Sequence, residues 1–245
     1  MIHTRDINIR MIIAVAKRLG DLRDKVVFVG GCATGLFITD PAMPEVRATQ
    51  DVDVIVEVAS RMAYYRLEDE LRLRGFKLDM SENAPVCRWL VDRIKVDIMP
   101  TQEEILGFSN RWYLPAVKNA DQLQLEDDLT IKLVSPPYFL ATKIDAFNGR
   151  GGGDYLASHD MEDIITILDG RPEIVSEIKS SSDDLKDFLS RTFRAFLANA
   201  DFRESIPGHL SPDRASQSRL PLLIRRLVEI GEAGICPATG SDQGK

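Results

Sequence analysis

Two aspartates one residue apart, Asp51 and Asp53, open the apolar run "DVDVIVEV". Carboxylates are poor strand formers, and side chains at i and i+2 of a strand share a face. At a rise of ~3.3 Å per residue the two Cβ atoms stand roughly 7 Å apart. Like charges so placed repel unless a cation lies between them or water screens them. Taken alone, the pair reads either as a strand edge whose aspartates cap neighbouring turns or as a cation site.

The segments around it read as an α/β half. Ile7, Ile9, Ile12, Ile13, Ala16 and Leu19 recur near helical spacing before Gly20. "KVVFVGG" is a short buried strand feeding a glycine turn, "CATGLFI" opens a helix, and "TDPAMPEVRATQ" is a proline-bearing loop. "RMAYYRLEDELRLRGF" is an amphipathic helix closed by Gly75. "CRWLV" and "IKVDIMP" pair as a hairpin around Asp92 and Arg93. "WYLPAVKNADQLQL" and "LTIKLVS" read as further short strands and turns. From Tyr138 onward nearly every segment has helical periodicity. These features predict an α/β (α+β) chain, a mixed sheet flanked by helices followed by a helical half. The expected boundaries are 1–135, 136–235 and a polar, Gly-rich disordered tail at 236–245.

The formal net charge is −7, which gives no support to nonspecific nucleic-acid binding through bulk electrostatics and leaves room for a local basic patch. No apolar run reaches the ~18 residues of a membrane span. The first twenty residues carry charges throughout and lack the apolar core of a signal peptide. Cys32, Cys87 and Cys236 show no metal-type spacing and fit a reducing compartment, so the expected location is the cytoplasm.

"VFVGG", "DVD" and "VDI" together carry chemistry. If their strands neighbour one another, Asp51, Asp53 and Asp97 converge beside the turn at Gly30 and Gly31. Three carboxylates are an oxygen set for Mg²⁺, which takes its remaining ligands from water and substrate phosphates. Glycines let the backbone approach a triphosphate without a Cβ in the way. Two cations ~3.5–4 Å apart would clamp the attacking and leaving oxygens of an in-line displacement.

The combination "VGGCATGLF … RATQDVDVIV … IKVDIMP" resembles the polymerase-beta-like nucleotidyltransferase superfamily: Gly-Gly or Gly-Ser, a spacer, Asp-x-Asp, and a third Asp on a later strand. The "RATQDVD" lead-in looks most like the AbiEii/MenT-type nucleotidyltransferases of toxin–antitoxin and phage-defence systems. "ATKIDAFNGR…HDMEDIITIL" is similar to that group's lysine helix, arginine and Asp-rich helix start. The resemblance implies that Gly30 and Gly31 contact the triphosphate and that Asp51, Asp53 and Asp97 handle metal, with Asp97 helping to activate the acceptor. Lys143 would neutralise phosphate, and Asp160 or Asp163 would complete the pocket. It further implies an NTP substrate, Mg²⁺, a tRNA 3′ end or protein hydroxyl as acceptor, and a cognate antitoxin as partner. Two features depart from the common pattern: Gly31 stands where many members have Ser, and the spacer from Gly31 to Asp51 holds 19 residues.

Other readings stand beside these. A small-molecule (aminoglycoside-like) acceptor is the alternative within the enzyme class. A catalytically inert, partner-binding scaffold is the alternative outside it, and it predicts loss of a metal carboxylate. "SHDMED" also reads as an ordinary helix start with Ser158 as N-cap. His159 and Asp160 lack the clustered partners of a zinc site. Gly151–Gly153 read as a flexible connection, and Cys32 as a buried thiol. Arg191, Arg194, Arg203, Arg219, Arg225 and Arg226 read either as a solvated face or as a groove for an RNA strand.

Overall fold

The computed structural model describes residues 6–150 and 153–234, of Arg150 the backbone alone; the glycines at 151–152 and the tail from 236 therefore lie outside the described residues. Among the described residues, β1 (Val26–Val29), β2 (Asp51–Val56), β3 (Lys77–Leu78), β4 (Arg88–Val91), β5 (Ile94–Pro100), β6 (Asp121–Glu126) and β7 (Leu129–Leu133) form one sheet. Its order is β3-β4-β5-β2-β1-β7-β6. β2 runs parallel to β5 and β1 parallel to β7; the other neighbours are antiparallel. A mixed sheet of this kind is what the blend of near-continuous apolar strands and hairpins demands.

The α-helices run in chain order: α1 (Ile7–Leu19), α2 (Thr34–Phe37), α3 (Arg61–Leu73), α4 (Glu103–Leu106), α5 (Tyr113–Lys118) and α6 (Pro136–Arg150). They continue with α7 (His159–Gly170), α8 (Ile174–Lys179), α9 (Asp183–Ala198), α10 (Ala200–Ser205), α11 (Arg214–Gln217) and α12 (Leu220–Glu232). The apolar stripe of α1, Ile9, Ile12, Val15, Ala16 and Leu19, is buried, and the helix packs on β2, β5 and β7. Asp6 caps it by accepting from the Asn8 N–H, and Gly20 ends it at φ 56°. In the helical half α6 packs against α7, α8 and α9, while α12 buries Leu223, Leu227 and Ile230 against α7, α8 and α9. One apolar core runs through both halves, from Ile12 to Ile230.

The hairpin turns where it is expected. Asp92 and Arg93 both take positive φ, 47° and 69°, as a two-residue turn between twisted strands requires. The glycine turn continues as a 3-10 turn, Gly31–Ala33, into the single turn of α2. One expectation fails. "WYLPAVKN" is not strand and turn but α5, because Pro115 falls within the first turn of a helix, where its missing N–H has no partner to lose.

Candidate active site

The site begins as a row of side chains across the sheet. In the parallel register of β2 and β5, Asp53 lies directly opposite Asp97. In the antiparallel register of β4 and β5, Asp97 lies opposite Arg88, and Asp53 in turn lies opposite Val29 of β1. Residues in register point to the same face, ~4.8 Å apart from strand to strand. Arg88, Asp97, Asp53 and Val29 therefore form one row ending at the glycine turn, with Asp51 beside it, two residues before Asp53. Val52 and Val54, between and after the aspartates, face the core.

Arg88 joins the acids. Its Nε and one terminal nitrogen donate to the two oxygens of Asp97, each at 2.7 Å, and that terminal nitrogen also donates to Asp51 Oδ2 at 2.8 Å. This is a forked, charge-assisted pair with a third bond across to the next strand. The hydrogen bonds to Asp97, reinforced by the charges of Asp97, Asp51 and Asp53, hold the guanidinium's pKa above even the usual arginine range. Arg88 thus places a positive charge between Asp51 and Asp97 from within the protein itself.

Gly30 closes the row. Its φ of 74° favours glycine, and a Cβ there would fall on the Asp53 carboxylate. A Cβ on Gly31 would sit 3.0 Å from Asp163 Oδ2 and 3.2 Å from Thr49 Cγ2. The two glycines thus place the turn between the sheet acids on one side and α7 on the other.

From the helical side Lys143 of α6 reaches between two acids of α7, 2.6 Å from Asp163 Oδ2 and 3.1 Å from Asp160 Oδ1. Burial by itself would push the ammonium's pKa down; the carboxylates of Asp163 and Asp160, with Asp53 beyond them, outweigh it and hold the pKa above the ordinary lysine value. Lys143 is a fixed charge here. Ser158 is the N-cap of α7, accepting from Met161 N–H, so the ordinary helix start and the clustered acids are the same element. Asp160 and Asp163 both reach Lys143.

The long spacer from Gly31 to Asp51 is pinned rather than loose. The N–H groups of Thr39 and Asp40 donate to the Gly170 carbonyl, and Arg219 grips Asp40. At the far end the buried Asn8 donates to the Arg47 carbonyl at 2.8 Å and accepts from the Thr49 N–H at 2.9 Å. That clasp holds Arg47 against α7, 2.9 Å from Glu162 and 3.4 Å from Asp163.

Arg88, Asn8 and the pairing of Arg47 are what sequence reasoning missed. The signal for Arg88 was present: a hairpin turning on Asp92 and Arg93 sets 88 opposite 97. Cys32 is buried as expected; burial raises its thiol pKa well above the usual range, and it donates to the Asn8 carbonyl. His159 is exposed and pairs with Glu162 across one helical turn. Of the C-terminal arginines, Arg226 is buried on the carbonyls of Leu168 and Asp169, and Arg219 binds Asp169 and Asp40. Those two are structural, which removes them from any RNA groove. Arg191, Arg194, Arg203 and Arg225 are exposed.

The row fits Mg²⁺ in donor type and number. Among the described residues no three His, Cys, Asp or Glu side chains form a ready metal cage. Mg²⁺ does not need one, since one or two carboxylates plus water and substrate phosphates suffice. Asp53 and Asp97, adjacent in register beside a backbone turn, meet that requirement.

No family model matches the sequence, and no curated protein matches it. Among solved structures, an antigenic nucleotidyltransferase-like protein from Paracoccidioides brasiliensis is similar, at 20% identity and TM-score 0.51, over 82% of this chain and 94% of that chain. JHP933 from Helicobacter pylori aligns at 11% identity and TM-score 0.45 over 96% of this chain and 92% of its own. No helix among the described residues is long and apolar enough to cross a membrane. The likeness to the Paracoccidioides protein is one of fold: this chain has a nucleotidyltransferase-like fold.

Proposed function

We propose that the protein transfers a nucleoside monophosphate from an NTP to an acceptor hydroxyl, releasing pyrophosphate. The observation that carries this reading is the in-register pair Asp53–Asp97 abutting the Gly30 turn, with the Lys143 ammonium on the turn's other side. Asp51, Asp53 and Asp97 would hold Mg²⁺, which when bound supplies charge neutralisation at the reacting phosphate. Gly30 and Gly31 offer backbone to the triphosphate, and Lys143 offers a charge that stays positive at neutral pH. The acceptor oxygen forms a bond to the α-phosphorus, the bond to the β-phosphate bridge breaks, and pyrophosphate leaves with the electron pair. The acceptor's proton passes to a carboxylate of the row, with Asp97 the candidate.

The catalytic machinery would draw on both expected domains, 1–135 and 136–235. A tRNA 3′ end or a protein hydroxyl is the proposed acceptor, and a role as the toxin of an AbiEii-like toxin–antitoxin or phage-defence pair follows from the sequence resemblance. The inert-scaffold alternative predicts loss of a carboxylate, and all three are kept. The test is incubation with each α-³²P-labelled NTP, Mg²⁺ and either total tRNA or the protein alone. Label on RNA supports the tRNA acceptor, and label on protein supports the hydroxyl acceptor. No label and no NTP binding by calorimetry would reject the enzyme reading.

A further inference from the structure

The proposed function does not call for an arginine among its metal carboxylates, yet Arg88 is there. Its guanidinium takes both oxygens of Asp97 and one of Asp51. Without a compensating charge, three carboxylates on two adjacent strands would repel one another. Arg88 supplies that charge within the bare protein. It is mostly buried, its side chain 16% exposed, against 31% for Asp51, so the pair lies at the rim where solvent and solutes reach it.

A divalent cation that binds these carboxylates must compete for the oxygens the guanidinium already uses. It also brings two positive charges beside a third, and at short range that repulsion falls on the guanidinium, which sits on a long, flexible stem. The forked geometry matters as much as the charge, because both bonds to Asp97 must break together for its oxygens to be freed.

We propose, building on the nucleotidyltransferase reading, that Arg88 is a positioning residue that serves as the resident counter-ion of the acidic row. It holds Asp51 and Asp97 in place until a divalent cation displaces its guanidinium. The released guanidinium, a planar fork suited to phosphate oxygens, is then free to pair with the incoming triphosphate. Metal affinity in the absence of nucleotide is thereby kept weak, and the cation is taken up with its nucleotide.

The test is direct titration of the full chain with Mn²⁺, following free ion by electron paramagnetic resonance, without nucleotide. Wild type is compared with Arg88→Met, which removes charge and fork, and Arg88→Lys, which keeps charge and loses the fork. Asp97→Asn identifies binding at the row, and circular dichroism confirms that each variant is folded. Displacement predicts that both Arg88 variants bind Mn²⁺ more tightly than wild type, Arg88→Met by about tenfold or more, the equivalent of one charge-assisted bond. Tightening in Arg88→Met alone would mean that net charge, not displacement, sets the affinity, and would overturn the proposal. Equal affinity in all three would overturn it while leaving the metal site standing. No Asp97-dependent binding in any of them would overturn both the proposal and the metal-dependent reading.

Discussion

Two charge clusters face each other across the glycine turn, and they are built differently. On the helical side Lys143, Asp160 and Asp163 are closed off, with side-chain exposures of 11%, 8% and 5%. On the sheet side the cluster around Arg88 opens to solvent at Asp51, 31% exposed. A closed ion cluster cannot exchange partners without unfolding locally, so its charges are fixed in place. An open one can trade a resident arginine for an arriving cation. The helical cluster thus holds Lys143 and its two acids in fixed positions, and the sheet cluster is suited to change occupants.

Breaking the two clusters should therefore cost very different amounts. Lys143→Ala strips the cation from two buried carboxylates and is expected to destabilise the fold by about 3–5 kcal/mol. Asp51→Ala removes one partner at a solvated rim, leaves the Arg88–Asp97 fork intact, and should cost about 1 kcal/mol or less. Urea unfolding of both variants measures the contrast, and similar losses would break the comparison.

Gly30→Ala is expected to fall between them in stability. Gly30 combines positive φ with an extended ψ of −179°, a conformation that costs about 1–3 kcal/mol for a residue with a Cβ, and that Cβ falls on the Asp53 carboxylate. Its nucleotidyl transfer should drop far more than its stability, because Asp53 must move.

The pH response sharpens the contrast further. The Lys143 pKa is raised on folding, since the acids around it outweigh the burial that would lower it. The stability it contributes is fully present below the ordinary lysine pKa and is lost only as pH rises through the elevated value. Lys143→Met has no such loss, so urea unfolding across the alkaline range should show a flatter stability curve above pH 10.5 for the variant than for wild type, and parallel curves would contradict this.

The smallest effect concerns the thiols. Burial pushes the Cys87 pKa up to about 12 and raises that of Cys32 as well. In a Cys236→Ser background, alkylation at pH 8 should be slow until the protein is denatured.

The α/β half, the hairpin and the Ser158 cap were legible in the sequence, because each rests on local pattern: period-2 alternation, turn chemistry, or cap spacing. The aspartates were legible one strand at a time, and their meeting depends on the β5-β2-β1 neighbourhood. α5 was not, because a proline within its first turn imitates a breaker. β3 was not, since its two exposed residues become a strand only by pairing with β4. At the site, the carboxylates announced themselves by being out of place in a strand. Asn8 is equally out of place, a buried polar residue four before Ile12 on the inward face of α1. Its partner 39 positions away is a tertiary fact that no local pattern carries. Arg88 lay within reach, given the hairpin's arithmetic.

The most direct measurement is pyrophosphate release from the preferred NTP with Mg²⁺ and acceptor, comparing wild type with Asp53→Asn. The substitution keeps the size of the side chain beside Gly30 while removing its charge. The expected result is a fall in kcat of about 10²–10³-fold with the fold intact. Unchanged turnover in Asp53→Asn would contradict the assignment of the acidic row as the catalytic centre.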